Sequence, residues 1–311
     1  MPPAPAPLTR ALVIVNARSG GGWDDARADD LRRQLAQAQL EAEVVLAREA
    51  GDLAAALDRA RSGGVGLVVA GGGDGTQAAV AASLVGTELV QGVLPLGTLN
   101  HFAKDLGVPL ALEDAVRTLA RGRVVEVDVG EVNGRIFLNN SSLGLYPQIV
   151  RERELQQLHL GKSKWAALAS ATLHATRRPH GIAVRIDSED DEALRRTPFV
   201  FIGNNRYTME GFAIGGRESL ESGELAVYLA RRRGRLALVQ LALRALAKRL
   251  AQAEDFEVLT GPAFVIRTRD TRIRVATDGE VTMMDTPLRY RTLPKALKVM
   301  VPGNQDGAAS P

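Results

Sequence analysis

The run Val68-Val69-Ala70-Gly71-Gly72-Gly73-Asp74-Gly75-Thr76-Gln77 decides the fold. Residues Val65 to Ala70 are apolar and short, which predicts a buried strand. The strand empties into three glycines, an aspartate, a fourth glycine and a threonine. Gln77 to Leu84 is rich in alanine and predicts a helix. A strand, a glycine turn and a helix in succession make a phosphate site. Glycines let the backbone approach an anion with no Cβ in the way, and the first N–H groups of a helix are unpaired and carry the positive end of its dipole. Asp74 puts a carboxylate where a bare phosphate would be repelled, and a bridging Mg²⁺ resolves that conflict. The plain alternative is a tight βα turn with an acidic N-cap. Four glycines in five positions around an aspartate favour the phosphate reading. No Lys-Ser or Lys-Thr follows the last glycine, so this is not a Walker A loop.

A second run follows another short apolar strand, Leu89 to Leu94. It reads Pro95-Leu96-Gly97-Thr98-Leu99-Asn100-His101-Phe102-Ala103-Lys104-Asp105-Leu106-Gly107. Both loops leave strands of one sheet, so they are expected side by side at its carboxyl edge, where open α/β sheets bind ligands. The phosphate cradle is expected at Gly71, Gly72, Gly73, Gly75 and Thr76, with Gly97, Thr98 and Asn100 from the second loop. Asp74 is the metal candidate.

With both runs in view, the sequence resembles the diacylglycerol kinase catalytic family, which also holds sphingosine kinases and bacterial lipid kinases. The resemblance rests on the Gly-Gly-Asp-Gly-Thr core, on the Pro-Leu-Gly-Thr-x-Asn-x-Phe-Ala run, and on a late Asp278-Gly279-Glu280. It covers nearly the whole chain in order. The first core alone is shared with NAD kinases and phosphofructokinases; the second run separates the lipid-kinase branch from both. The opening Asn16-Ala17-Arg18-Ser19-Gly20 resembles the family's Asn-Pro-x-Ser-Gly turn, with Ala17 where proline is usual, and adds Asn16 and Ser19 to the nucleotide contacts. By the same resemblance Glu280 is the base that activates a lipid hydroxyl, and Asp278 supports it or reaches the metal. Asp278-Gly279 by itself also fits a plain hairpin turn. In sphingosine kinases the aspartate of the first core is assigned as base instead, so Asp74 and Glu280 both stand as candidates for that role. His101 is given no chemistry. The family's threonine ahead of the second helix falls on Ala47, which puts a hydroxyl contact to nucleotide in doubt. A structural metal bound by Asp-Gly-x-Leu-Asp in bacterial members falls on Ser222-Gly223-Glu224-Leu225-Ala226, where both aspartates are replaced, and no metal is expected there.

The 311 residues allow two domains, with 45% hydrophobic and 24% charged residues, the composition of an ordinary globular chain. Net charge is +3 and the pI about 9.4, which suits nucleotides and anionic head groups and is too small to argue for nucleic acid. There is no cysteine, hence no disulfide or thiolate metal site. The proline-rich start lacks the pattern of a signal peptide, and no apolar run is long enough for a transmembrane helix. The expectation is a cytoplasmic protein that reaches a lipid substrate at the membrane surface, with a homodimer as an open possibility.

Strands at Leu12–Val15, Ala42–Leu46, Val65–Ala70 and Leu89–Leu94 alternate with helices at Asp24–Leu40, Asp52–Arg61, Gln77–Leu84 and Glu113–Arg121. That is the pattern of a parallel sheet with helices on both faces. From Val124–Val129 onward the strands lose their helices: Arg135–Asn139, Gly181–Ile186, Thr197–Ile202, Leu225–Leu229, Ala263–Arg267, Ile273–Thr277 and Leu288–Tyr290. Several alternate apolar with polar, as in an antiparallel sheet with one wet face. The expected organisation is an α/β nucleotide-binding domain over residues 8–128, a mostly antiparallel β domain over 129–302 whose last segment returns to the first, and tails at 1–7 and 303–311. Two basic helices, Arg151–Arg178 and Arg231–Ala253, are expected either to pack on the sheet or to dock on anionic lipid. The function expected from all this is an ATP-dependent lipid kinase. A small-molecule kinase of the NAD-kinase type and a catalytically silent lipid or nucleotide sensor are the alternatives.

Overall fold

The computed structural model describes residues 10–144, 182–187, 192–210, 213–230 and 256–303. The two basic helical stretches expected at Arg151–Arg178 and Arg231–Ala253 lie outside the described residues. The chain divides into two compact units, one running up to Val129 and resuming at Lys295, the other spanning Gly130–Pro294.

The first unit alternates strand and helix: β1 (Arg10–Asn16), α1 (Asp25–Gln37), β2 (Glu41–Ala47), α2 (Ala50–Arg61), β3 (Leu67–Gly72), α3 (Asp74–Leu84), β4 (Val90–Pro95), α4 (His101–Asp105) and α5 (Leu112–Arg121). The strands pair in parallel in the order β2-β1-β3-β4, and Lys298 and Val299 add a further parallel strand beside β4. β3 and β4 are buried along their whole length, as expected of strands covered on both faces. Two of the helices, α1 and α2, start where acidic side chains satisfy free N–H groups. Asp24 accepts the N–H of Arg27 at 2.9 Å to open α1. Asp52 accepts the N–H groups of Arg48 and Glu49 ahead of α2, and these backbone bonds hold its carboxyl below the usual range. Ala28, Leu31 and Leu35 form the buried stripe of α1. Because β1 sends the chain to β2 on one side and the next crossover to β3 on the other, the carboxyl ends of β1 and β3 flank the point where strand order reverses.

Strand β5 (Arg123–Val132) leads into the second unit. There follow β6 (Arg135–Phe137), β7 (Asn140–Gly144), β8 (Ile182–Asp187), β9 (Glu192–Thr197), β10 (Phe199–Asn204), β11 (Tyr207–Glu210), β12 (Ala213–Arg217), β13 (Leu225–Ala230), β14 (Phe256–Gly261), β15 (Ala263–Thr268), β16 (Arg272–Thr277), β17 (Glu280–Asp285) and β18 (Leu288–Val301). One antiparallel layer has the order β14-β13-β10-β7-β16-β17; the other contains β18-β15-β8-β9, and β11 and β12 form a separate hairpin. Leu143, Val200, Ile202, Val227, Val275, Phe264, Ile266, Leu288 and Tyr290 belong to one buried cluster, to which both layers contribute.

Several expected boundaries move. The glycines Gly71 and Gly72 stay within β3, and α3 begins at Asp74 rather than at Gln77. The strand expected at Thr197–Ile202 is two, β9 and β10, broken at Pro198, which has no N–H to give a ladder. The strand expected at Leu288–Tyr290 runs on for 14 residues through Pro294 to Val301. The wet outer face expected of the antiparallel sheet is not seen at β10 and β13. Phe201, Ala226 and Tyr228 point away from the main core and are themselves buried, in a cluster with Tyr207 of β11.

Candidate functional site

The first group of candidate residues lies at the carboxyl ends of β1, β3 and β4. Gly72 ends β3, Gly73 is the N-cap of α3, and the first intrahelical bond runs from the Gln77 N–H to the Gly73 carbonyl. The N–H groups of Asp74, Gly75 and Thr76 therefore fall in the first turn, where a helix supplies no carbonyl partner. A Cβ on Gly72 would lie 2.4 Å from the Thr76 hydroxyl oxygen, so the turn from strand into helix closes only on glycine. A Cβ on Gly97 would lie 2.3 Å from the Cα of Gly73. The two glycine loops approach backbone to backbone, and it is Gly97 that admits no side chain where they meet; a Cβ on Gly73 would stand 3.4 Å from the Gly97 Cα. From β1, Asn16 Nδ2 donates to Thr76 Oγ1 at 3.2 Å, and Asn16 Oδ1 accepts the Arg18 N–H at 3.0 Å. Ser19 opens the one-turn helix of residues 19–21, its carbonyl accepting the Gly22 N–H. Ala47, where the family's threonine is expected, is buried at the end of β2, and its carbonyl accepts the Ala17 N–H.

Asp74 spans the two loops. Its Oδ1 accepts the Phe102 N–H at 3.0 Å and its Oδ2 the His101 N–H at 3.2 Å. The carboxylate of one motif thus caps the short helix α4 of the other, and His101 contributes through its backbone. Each oxygen keeps a second lone pair. One carboxylate of this kind, joined by substrate phosphates, is a sufficient donor set for Mg²⁺, so the residues present fit the ion. Asn100 is nearly fully buried, has φ +50°, and is spent on its own loop. Its Oδ1 accepts the Gly97 N–H at 2.9 Å, and its Nδ2 donates to the carbonyls of Gly97 and Pro95. Thr98 is exposed at the tip of that loop.

The sequence reading missed the support beneath the loops. Gln77 is buried, donates to the Ala70 carbonyl at 2.8 Å, and accepts from Gln91 Nε2 at 3.1 Å. Gln91 is buried on β4 and also bonds the Gln77 carbonyl. This amide pair ties α3 to both strands that end in glycine loops. A polar residue inside the fully apolar pattern of β4 was the available signal.

The second acidic motif is a hairpin. Asp278 and Gly279 both have positive φ, +47° and +90°, and join β16 to β17. Such a two-residue connection demands φ > 0 at both positions, which Asp-Gly supplies. Asp278 uses its carboxylate on backbone. Oδ2 accepts the Leu138 N–H at 2.7 Å, and Oδ1 accepts those of Asn139 and Asn140 at 2.8 and 3.1 Å. Three successive N–H groups around one carboxylate form an anion nest. The carbonyls of the same segment are held as well. Asn204 Nδ2 and Arg217 Nη1 donate to Leu138 O, and Tyr207 Oη donates to Asn139 O. Glu280 is the first residue of β17 and is 63% exposed; Arg135 Nη2 meets its Oε2 at 2.6 Å, while Arg135 Nε donates to Thr277 Oγ1 at 2.8 Å. Below this hairpin Ser141 Oγ bonds both Ala276 O and the Tyr290 hydroxyl, and burial pushes the Tyr290 hydroxyl well above its usual pKa.

The structure gathers Asn16, Gly71, Gly72, Gly73, Asp74, Gly75, Thr76, Gly97 and Asn100 in the first unit, and sets Asp278 and Glu280 together in the second. At the position of the family's structural metal, Ser222 donates to Asn205 Oδ1, and Ala226 is fully buried in β13. Among the described residues no cluster of three or more His, Cys, Asp or Glu side chains is placed to hold a metal, and no helix is long and apolar enough to cross a membrane.

Comparison with known proteins bears on family and fold. The family model for the diacylglycerol kinase catalytic domain matches residues 10–132, and that for the YegS C-terminal NAD kinase beta sandwich-like domain matches residues 142–301. The chain is 36% identical over 152 residues to the probable lipid kinase YegS of Escherichia fergusonii, a match that covers 47% of the chain and 50% of that protein. The chain spans about half the length of the curated relatives it first matches. An uncharacterized protein of Synechocystis sp. is 28% identical over 308 residues, covering 93% of the chain and 70% of that protein. Among solved structures, a diacylglycerol kinase of Bacillus anthracis superposes with a TM-score of 0.69 at 22% identity, covering 94% of this chain and 97% of that one. At that identity the likeness is one of fold.

Proposed function

The chain belongs to the diacylglycerol kinase catalytic-domain family, with a YegS-type β-sandwich domain after it, and from that premise we propose that it is an ATP-dependent lipid kinase. The observation that carries the proposal is the pair of glycine loops in backbone contact at Gly73 and Gly97, with Asp74 bonded across them. Phosphoryl transfer is largely positioning and charge neutralisation, and this arrangement offers both. The first-turn N–H groups of α3 are the donors that would meet the phosphates, and Asp74 is the residue that would hold Mg²⁺. The metal would supply neutralisation of the charge that builds on the transferring group. In the acceptor step a lipid hydroxyl oxygen bonds to the γ-phosphorus of ATP as the bond to the β–γ bridging oxygen breaks. ADP leaves with that electron pair, and the hydroxyl proton passes to Glu280. The acceptor is met at a membrane surface, and diacylglycerol, a sphingoid base or a related lipid fits the reaction.

The test is transfer of labelled γ-phosphate from ATP with Mg²⁺ into a bacterial lipid extract in mixed micelles. A labelled lipid, formed about 10²-fold or more slowly with Glu280→Ala, is the expected result. Folded protein that binds ATP and labels no lipid overturns the reading.

A further inference from the structure

We infer that Arg135 is a positioning residue for the Glu280 carboxylate, held in place by Thr277. The inference rests on the lipid-kinase reading of Glu280. Three residues from two strands and a hairpin meet here. Thr277, almost fully buried at the end of β16, accepts from Arg135 Nε at 2.8 Å, and the far edge of the guanidinium meets Glu280 Oε2 at 2.6 Å. The guanidinium is planar with donors in a fixed fork, so anchoring Nε sets where Nη2 points. One carboxylate oxygen of Glu280 is engaged, and Oε1 is left to take the hydroxyl proton as the new O–P bond forms. A glutamate at the edge of a hairpin, 63% exposed, otherwise has free rotation about three bonds.

Stability does not account for the arrangement. An ion pair with partners 36% and 63% exposed adds little to folding. A loss of orientation at a reacting group is costly for rate instead, about 10- to 100-fold for small misplacements. Asp278 fixes the same hairpin through separate bonds to the Leu138–Asn140 nest, so the backbone under Glu280 stays in place when Arg135 is removed.

The experiment is a double-mutant cycle on the full chain, with phosphate transfer to the lipid as readout and thermal melting as control. Arg135→Ala is expected to lower kcat about 10- to 100-fold with the KM for ATP unchanged, and to leave the melting temperature close to that of the parent. Arg135→Lys, which keeps charge and loses the fork, is expected to recover part of the rate. In a Glu280→Ala background, Arg135→Ala is expected to lower the residual rate no further. Thr277→Val, a second route that leaves both charged residues in place, is expected to reproduce the kcat loss at smaller size. Equal losses from Arg135→Ala in both backgrounds, or an unchanged kcat in the parent background, overturn the inference and leave the kinase reading intact. A parent protein that transfers no phosphate to lipid overturns both.

Discussion

Two Asp-Gly dipeptides, Asp74-Gly75 and Asp278-Gly279, are put to opposite backbone uses. The first opens a helix; the second turns a hairpin with both residues at positive φ. Yet both aspartates do the same local work, since each accepts backbone N–H groups from a segment distant in sequence, two at Asp74 and three at Asp278. The difference lies beside them. Asp74 stands at the positive end of an 11-residue helix, among donors suited to phosphate. Asp278 is enclosed by its nest, and the adjacent Glu280 carries the exposed carboxylate. In one motif the aspartate is both staple and candidate ligand. In the other the two duties are divided between neighbours.

That contrast can be broken most sharply at Glu280. Glu280→Ala is expected to cut lipid phosphorylation by about 10²–10⁴-fold, the range for losing a general base, with ATP binding retained by calorimetry. Asp278→Ala is expected to cost about 2–3 kcal/mol of unfolding free energy, since three N–H groups lose a charged acceptor; urea denaturation reads it. Asp74→Ala is expected to cost about 1–2 kcal/mol through the uncapped start of α4 and to abolish Mg²⁺-dependent transfer. Asp74→Asn is expected to restore part of the stability and none of the activity. If Asp74→Asn retains activity, the aspartate is a staple alone and the two aspartates serve the same purpose.

The smallest effect expected is a pH effect confined to the second unit. The Tyr290 hydroxyl has its pKa raised above the ordinary 10.0 by burial. Its proton is kept in the folded state at a pH where the unfolded chain has lost it. The stabilisation is therefore complete below about pH 10 and falls as pH rises from there toward the folded value, by about 1.4 kcal/mol per pH unit for one group. Denaturation midpoints from pH 9 to 11 should show this limb, and Tyr290→Phe should flatten it.

The parallel half of the fold is legible in sequence because its strands are buried on both faces and its helices carry clear stripes, as with Leu31 and Leu35 of α1. The motif glycines are legible for a related reason: contact at Gly97 and the turn at Gly72 admit no side chain. The β-rich half is harder. β13 reads Leu-Ala-Val-Tyr-Leu-Ala with no alternation, and only the packing of Tyr207 on Phe201 and Tyr228 explains why its outer face is apolar. Arg135 escapes a sequence reading altogether, since its partner Glu280 lies 145 residues away and no local pattern marks it. For Gln77, whose partner Gln91 lies 14 residues away, the one signal is the polar residue inside the apolar pattern of β4.

The return of the chain to its first unit has a consequence for synthesis. Lys298 and Val299 pair with Val90 and Gln91 of β4, so this neighbour of β4 is made only after the whole of Gly130–Pro294 has been translated. At ordinary elongation rates that is on the order of ten seconds. During this interval the nascent first unit presents β4 as a bare, apolar edge, the kind of surface that invites pairing with other chains. The glycine loops and α3 can form in that interval, but the sheet that carries them waits for a strand translated after Gly130–Pro294.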